Sequence, residues 1–171
     1  MPVSSPTAPF TATTVQWDDP RAQTLRSAMD DEMSALYAER SASAGAETAR
    51  KMSDVFHINA ADIMATILVL DGDGADATAV GHAALRPFED SLEVKRVFVA
   101  ASHRRRGISS LLLAEVEGLA RARGVKRIVL QTGDLQVEAI ALYERRGYRD
   151  IPPFRGYEVV ANGRCFEKFL D

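Results

Sequence analysis

The hydrophobic period of the chain changes twice between residues 92 and 132, and this order of elements limits the fold more than any other feature does. LEVKRVFVA (92–100) alternates as a strand does, and KRIVLQT (126–132) is typical of a buried strand. Between them, apolar residues recur at helical spacing and end before Gly124: Ile108, Leu111, Leu112, Val116, Leu119 and Ala120. Because a strand–helix–strand crossover joins parallel strands of one sheet, we predict that the two strands are parallel neighbours.

Upstream of this unit, the pattern predicts a long helix and two further strands. The helix begins after a capping Asp19 followed by Pro20 and continues through DPRAQTLRSAMDDEMSALYAER. Residues 41–62 have weak periodicity, which favours a loop with a short second helix. IMATILVL (63–70) and TAVGHAALR (78–86) are bounded by turn-forming residues, so with the strand that follows they predict an antiparallel three-strand meander.

The C-terminal part of the chain supplies another helix and two closing strands. Apolar residues mark the helix from Val137 to Tyr143, and it stops at Gly147. The closing strands flank a turn at Pro152-Pro153. We therefore predict a single domain over residues 15–171, with an α/β (α+β) fold in which helices flank a mixed, mostly antiparallel central sheet that contains a βαβ unit.

The charge of the chain is distributed unevenly. Residues 95–127 carry nine basic and two acidic side chains, whereas residues 1–94 carry six basic and fifteen acidic ones, and the whole chain has a net charge of −3. A local basic stretch in an acidic protein favours a small anion over a nucleic acid, because nucleic-acid binding usually requires a basic domain as a whole. We predict no nucleic-acid partner.

The segment HRRRGISS (103–110) concentrates the positive charge where a helix begins. A helix N-terminus presents free backbone N–H groups and a partial positive charge, and Gly107 lets the backbone turn tightly and an oxygen approach closely. These features predict a site for a phosphate-type anion, which would also relieve the repulsion among the three arginines. The alternative is an exposed basic loop that binds nothing.

Several features bear on the cellular compartment. Residues 1–14 are rich in Pro, Ser, Thr and Ala and lack the basic and apolar blocks of a targeting signal, so we interpret them as a flexible leader. No apolar run approaches the length of a membrane span. Cys165 is the single cysteine, which excludes an internal disulfide, and the histidines lack metal-ligand spacing. We expect a cytoplasmic protein without a metal site or membrane association.

The stretch VKRVFVAASHRRRGISSLLL resembles the acetyl-coenzyme A signature of the GNAT superfamily of N-acetyltransferases. In that signature a strand leads into a loop of the form (Gln/Arg)-x-x-Gly-x-(Gly/Ala), which opens a helix. Arg104 and Gly107 match the first two positions. Ser109 departs from the third and adds a hydroxyl beside the expected pyrophosphate.

A second stretch, QTGDLQVEAIALYERRGYRDIPPF, resembles the other hallmark of the family, Asn-x-x-Ala-x-x-x-Tyr followed by Gly-Tyr/Phe. Ala139, Tyr143, Gly147 and Tyr148 match, whereas Gln136 stands where Asn is commoner. The two motifs occur in the family's order, and the resemblance covers residues 92 to about 170.

The resemblance implies that acetyl-coenzyme A is a co-substrate and that its acetyl group passes directly to a primary amine. It implies backbone contacts to the pantetheine arm and the thioester carbonyl between Val97 and Val99. The residues that we expect to bind the cofactor are Val97, Phe98, Val99, Arg104, Arg105, Arg106, Gly107, Ile108, Ser109, Ser110, Gln136 and Tyr143.

Catalysis requires a base, because a free amine is almost wholly protonated at neutral pH. Glu93 resembles the family's strand carboxylate that takes the amine proton, often through water; the alternative is a solvated strand-edge acid. Glu89 or Asp90 in the adjoining turn could serve instead, and His82 is a weaker candidate. Tyr143 resembles the general acid that protonates the leaving thiolate; the alternative is a tyrosine buried for packing.

These observations predict an N-acetyltransferase that acts on a primary amine of a small molecule or peptide, with a homodimer left open. A catalytically idle GNAT-like module that senses acyl-coenzyme A is the alternative. An interaction protein that binds no cofactor is a third hypothesis. Release of free thiol separates the enzyme from the sensor.

Overall fold

The structure, a computed structural model, describes residues 10–171. Its strands form one seven-stranded sheet: β1 (Thr11–Val15), β2 (Ala65–Asp71), β3 (Thr78–Phe88), β4 (Ser91–Val99), β5 (Arg127–Thr132), β6 (Arg149–Ile151) and β7 (Arg164–Phe169). The strand order across the sheet is β1-β2-β3-β4-β5-β7-β6. All neighbouring strands are antiparallel except β4 and β5.

The helices cover both faces of this sheet: α1 (Pro20–Leu36), α2 (Ala38–Ser43), α3 (Ala46–Phe56), α4 (Ile108–Ala122) and α5 (Val137–Arg145). The α1 helix begins as predicted, with Pro20 in its first turn and the Asp19 carboxylate accepting from the Arg21 amide at 2.9 Å. Between residues 10 and 171, none of the helices is long and apolar enough to cross a membrane.

The βαβ unit confirms the predicted parallel pair. Only three residue pairs join β4 to β5: Leu92 with Ile128, Glu93 with Val129, and Val94 with Leu130. Beyond Val94 the two strands diverge, although β4 continues to Val99 and β5 to Thr132. The sheet therefore opens at its centre, on the side where both parallel strands end.

The predicted end of the leader at residue 14 is wrong. Thr11–Val15 forms an edge strand that pairs with β2 from Thr11 opposite Leu70 to Val15 opposite Thr66. The alternating, threonine-rich sequence TATTV suits a strand, but its Pro- and Ser-rich surroundings obscured the pattern. The remainder of the predicted leader, residues 1–9, lies outside the described residues.

Two connecting segments also differ from the sequence prediction. The expected short helix within residues 41–62 is the eleven-residue α3, whose apolar residues Ala49, Met52 and Phe56 follow helical spacing, although none of its residues is fully buried. The closing strands exist, but a loop of residues 152–163 separates them and contains a short 3₁₀ turn, Tyr157–Val159. The paired prolines cannot donate backbone hydrogen bonds, which ends β6 early.

Close packing between the sheet and α4 fixes where that helix begins. A Cβ on Gly81 of β3 would lie 2.7 Å from the Ile108 side chain and 3.2 Å from Leu112, so only glycine admits this approach. Ile108 is 1% exposed and belongs to the larger core cluster. On the opposite face of the sheet, α1 buries Ala22 and Leu25 against Leu68 and Phe98.

Candidate active site

A cavity of about 650 Å³ occupies the opening between β4 and β5. Its floor includes Val94–Val97 of β4 and Gln131–Thr132 at the end of β5. Apolar side chains of α1 and α3 cover one side, and Tyr143 of α5 lies on another. Its apolar side-chain lining consists mainly of Met29, Met33, Tyr37, Met52, Phe56, Val97, Tyr143, Val159 and Val160. This volume lies within the range of small-molecule sites in proteins.

A β-bulge shapes the β4 wall of the cavity. His82 pairs with Phe98 and Ala84 pairs with Lys95, so two residues of β4 stand opposite Ala83, and Arg96 adopts a left-handed φ of 58°. The Arg26 guanidinium is always a donor and lies 3.1 Å from His82 Nε2. His82 therefore carries its proton on Nδ1, which donates to the Arg96 carbonyl at 2.8 Å and supports the bulge.

Burial of His82 makes the stability of the fold depend on pH. Desolvation, reinforced by Arg26 and Arg96, lowers the pKa of His82 to about 4. The unfolded chain binds a proton near pH 6.5 and the folded chain does not, so stability falls as the pH drops from 6.5 toward 4. We expect this histidine to account for a loss of about 3 kcal/mol across that window, since each pKa unit is about 1.4 kcal/mol.

Urea unfolding of the wild type and of His82→Gln between pH 7 and pH 4.5 tests this expectation. Glutamine can keep both hydrogen bonds but does not titrate, so the variant should lose less stability toward acid. If the unfolding free energies of the two proteins fell in parallel between pH 7 and pH 4.5, the assignment of the acid sensitivity to His82 would be contradicted.

The loop that precedes α4 ends in a left-handed glycine. Gly107 caps the helix in a left-handed conformation with φ 82°, and Ser109 and Ser110 lie in the first helical turn. A Cβ on Gly107 would meet no atom within 4 Å, so the space beside this residue is open. The backbone amides of the first turn thus remain available to a ligand oxygen.

The three arginines of this loop have different partners. Arg104 donates from Nε to the Val99 carbonyl at 3.1 Å and from its guanidinium to Glu32 at 2.6 Å. Arg106 lies 3.7 Å from the Asp71 carboxylate. Arg105 is exposed, has a left-handed φ of 59°, and has no carboxylate partner among residues 10–171. Protein carboxylates therefore relieve part of the repulsion that the sequence assigned to a phosphate.

The structure brings only some of the predicted cofactor residues to the cavity. Val97, Gln136 and Tyr143 line it together. The side chains of Phe98 and Ile108 belong to the two cores, so these residues could contact a ligand only through their backbone. Val99 is half-buried and packs against the larger core.

Glu93 lies in a buried ion cluster behind the cavity. Its side chain is fully buried on the central strand β4, so it is not a solvated strand-edge acid. One carboxylate oxygen accepts from Arg86 at 2.7 Å and lies 2.9 Å from Arg155, and the other accepts from the Tyr157 hydroxyl. Glu93 does not line the cavity. Glu89 and Asp90 lie in the exposed turn before β4, also outside the cavity lining.

Lys95 connects this cluster to the cavity. It is 8% exposed, lines the cavity, and donates from Nζ to the Tyr157 hydroxyl at 2.8 Å. Burial lowers the pKa of Lys95 to about 8, an effect that Arg86, Arg96 and Arg155 reinforce and Glu93 opposes. Sequence reasoning missed Lys95 and Tyr157. The available signal was LEVKRV, in which Glu93 and Lys95 alternate onto one face of an otherwise apolar strand.

Tyr143 is 5% exposed and packs against Tyr148 and Phe166, with ring centroids 5.8 and 5.9 Å away. It also lines the cavity. Within residues 10–171, no group forms a hydrogen bond to its hydroxyl. Burial raises the pKa of Tyr143 well above its ordinary value, so the side chain holds its proton at neutral pH.

No group of three or more His, Cys, Asp or Glu side chains in the described part of the chain is arranged to hold a metal ion.

A model of the acetyltransferase (GNAT) family matches residues 25–148, which include β4, the Gly107 loop, α4 and Tyr143. The chain belongs to the GNAT family. The mostly antiparallel sheet with helices on both faces is the fold that the two sequence motifs implied.

Solved GNAT structures share this fold over nearly the whole chain. A Klebsiella pneumoniae protein assigned as an acyl-CoA N-acyltransferase is 26% identical, with a TM-score of 0.73 and coverage of 95% of this chain and 98% of that one. The PaiA N-acetyltransferase of Thermoplasma acidophilum, solved with coenzyme A, is 15% identical with a TM-score of 0.62, covering 93% and 99%. At that identity the likeness concerns the fold alone.

Among curated relatives, an IAA acetyltransferase of Azospirillum brasilense is 43% identical over 65 residues, which are 38% of this chain and 42% of that protein. This chain spans less than half the length of this relative and of the human and mouse proteins named N-acetyltransferase 8, at 42%, 27% and 48%.

Proposed function

We propose that the protein transfers an acetyl group from acetyl-coenzyme A to a primary amine of a small molecule or peptide. The observation that carries this proposal is the cavity at the divergence of β4 and β5, which Tyr143 lines and which lies on the side of the sheet where β4 leads toward the Gly107 loop. GNAT membership supports the reaction class. The single, buried Cys165 is compatible with the reducing, cytoplasmic setting that belongs to the same proposal.

The residues present fit acetyl-coenzyme A. The open space at Gly107 and the free amides of the first turn of α4 suit its diphosphate, with exposed Arg105 supplying positive charge. Beyond Val94 the edge of β4 that faces β5 has no strand partner, so its backbone groups suit the amides of a pantetheine arm. The thioester would then lie beside Val97 and Tyr143.

The chemistry requires an oxyanion donor and a proton for the leaving sulfur. A backbone N–H of β4 near the bulge would stabilise the negative charge that develops on the thioester oxygen. Tyr143 would donate its proton to the thiolate, since burial keeps the phenol protonated and its hydroxyl has no competing partner in the described residues. Glu93 would act through Lys95 and Tyr157, because its own oxygens are occupied.

The acceptor would enter between α1, α3 and the loop after β6. Methionine and phenylalanine side chains dominate this side of the cavity and favour an amine with an apolar portion. Both carboxylates in the lining, Asp30 and Asp134, are paired with Arg96 and Arg40. The cavity therefore offers no free carboxylate for a second positive charge, which disfavours polyamines.

A thiol-release assay with acetyl-coenzyme A tests the proposal against a panel of primary amines, amino acids, polyamines and peptide N-termini. We expect amine-dependent release of coenzyme A and an acetylated product by mass spectrometry. Binding of acetyl-coenzyme A without thiol release for any amine would support the idle sensor instead. If acetyl-coenzyme A did not bind at all, both the acetyltransferase and the sensor hypotheses would be rejected.

The Gly107 loop gives a sharp test of the cofactor site. We expect Gly107→Asp to weaken acetyl-coenzyme A binding roughly 100-fold, because unit charges about 5 Å apart at an effective dielectric of about 20 repel by roughly 3 kcal/mol. Calorimetry measures the dissociation constant. Gly74→Asp is the matched control, since Gly74 also has a positive φ and nothing within 4 Å, but lies in the turn before β3. Equal affinities for both variants would contradict the loop assignment.

A further inference from the structure

The cavity contains one side chain whose position suits removal of a proton from the acceptor amine. Lys95 lies on β4 between Val94 and Val97, the segment beside which the thioester is placed in the proposed function. The predicted base, Glu93, is separated from the cavity by this lysine, and the two side chains are 3.8 Å apart between Nζ and Oε1. A base must reach the proton that it removes, directly or through one water.

The hydrogen bonds around Tyr157 fix the orientation of the lysine nitrogen. The Tyr157 hydroxyl donates to Glu93, so its oxygen is an acceptor for both Lys95 and Arg86. Lys95 must therefore donate one N–H to Tyr157 at 2.8 Å in either protonation state. A neutral amine keeps one lone pair, and with Tyr157 held on one side that lone pair is free to face the cavity.

The charges around Lys95 explain why the neutral form is accessible. The groups that face it are Glu93 of β4, Arg86 of β3, Arg96 of β4, and Arg155 and Tyr157 of the loop after β6. Three guanidinium groups outweigh one carboxylate. On the α3 side, Lys95 faces the ring of Phe56, whose centroid is 5.8 Å from Nζ. The carboxylate of Asp30 on α1 is already paired with Arg96. Burial and net positive surroundings both disfavour an additional ammonium.

We propose that Lys95 is the general base of the reaction, held in place by Tyr157 and Glu93 as positioning residues. This inference rests on the proposed function. The neutral Lys95 amine takes one proton from the acceptor ammonium, and the freed amine attacks the thioester carbon. The carbon–sulfur bond breaks, the thiolate receives its proton from Tyr143, and the acylated nitrogen returns a proton to Tyr143. Lys95 then releases its proton to solvent, so one proton leaves per turnover.

Replacement of Lys95 tests the role directly. We expect Lys95→Met to lower kcat roughly 100-fold, within the range that general base catalysis contributes, while the acetyl-coenzyme A dissociation constant stays within about twofold. Tyr157→Phe keeps the ring but removes the acceptor for the lysine, so it should lower kcat less and move the pH profile. Wild-type turnover in Lys95→Met with cofactor binding intact would overturn the proposal.

A chemically modified variant distinguishes a lysine that acts as the base from one that only supports the structure. Lys95→Cys treated with 2-bromoethylamine carries a side chain of nearly the same length with a less basic amine. Cys165, the other cysteine in that variant, is 3% exposed, and wild-type protein treated identically is the control. Activity should return, and the acidic limb of kcat against pH, where activity rises as the amine loses its proton, should move to lower pH. Restored activity with an unmoved profile would mean that the amine only fills space.

The outcomes distinguish this inference from the proposed function. If the wild-type protein acetylates no amine, the proposed function fails whatever Lys95 does. If the wild type is active and the Lys95 variants behave as the wild type, only the base assignment fails. Intact-mass measurement after incubation with acetyl-coenzyme A alone adds a check, because an acetyl group on Lys95 would make it an acceptor and overturn the role.

Discussion

Tyr143→Phe should lower kcat by about 10²-fold or more while leaving acetyl-coenzyme A affinity nearly unchanged, since loss of a general acid typically costs 10²–10⁴-fold. The ring packs between Tyr148 and Phe166 and remains in the variant, so the wall of the cavity is preserved. The hydroxyl has no hydrogen-bond partner within residues 10–171, and its removal therefore leaves no buried group unsatisfied there. Single-turnover thiol release measures the chemical step.

Tyr148→Phe provides the matched control. Tyr148 is also buried, but its hydroxyl points to Glu117 at a long 3.4 Å and it does not line the cavity. We expect near wild-type turnover for this variant. Equal, unchanged single-turnover rates in both variants would leave Tyr143 with a packing role only and would reject the acid assignment.

Glu93→Gln should lower the free energy of unfolding by about 3–5 kcal/mol, the usual cost of removing one partner from a buried ion pair. Arg86 is 6% exposed and would keep its positive charge beside Lys95 and Arg155 without the only carboxylate in the cluster among the described residues. Glutamine retains the shape and one acceptor, so the loss would come mainly from uncompensated charge. Urea denaturation at pH 7 gives the urea concentration at the midpoint of unfolding. If the dependence of the unfolding free energy on urea concentration is unchanged, only the stability differs between the two proteins.

Glu47→Gln serves as the control for this measurement. Glu47 forms an exposed pair with Lys51 at 2.7 Å on α3, and such pairs contribute about 0.3–0.5 kcal/mol. If Glu93→Gln lost no more stability than Glu47→Gln, the buried cluster would not be a major source of stability, and Glu93 would not hold Lys95 in place.

The sequence predicted the elements whose local pattern is strong. The capped start of α1, the apolar period of α4 and its stop at Gly124 depend on neighbouring residues, and the structure contains each of them. The parallel pairing of β4 with β5 followed from the handedness and length of the crossover. The edge strand Thr11–Val15 was missed because it is short and follows a Pro- and Ser-rich stretch. Helix α3 was understated although Ala49, Met52 and Phe56 follow helical spacing, because small and polar residues precede it.

The cavity was less predictable because its residues meet only in three dimensions. Two motifs pointed to Tyr143 and the Gly107 loop, each of which is defined by short spacing. The cluster of Arg86, Glu93 and Tyr157 joins residues up to 71 positions apart, so no local pattern could reveal it. Glu93 was recognised from resemblance, but its enclosure by arginines depends on the loop of residues 152–163, whose sequence is irregular.

The three residue pairs between β4 and β5 are the only strand-to-strand ladder between the β1–β4 half and the β5–β7 half of the described sheet. A molecule that lies in the opening and contacts both β4 and β5 would hold the two halves of the sheet together. Its binding free energy would then add to the cohesion of the two halves, and the melting temperature would climb with its concentration. The fraction of sites occupied and the melting temperature of the protein would therefore report the same binding equilibrium.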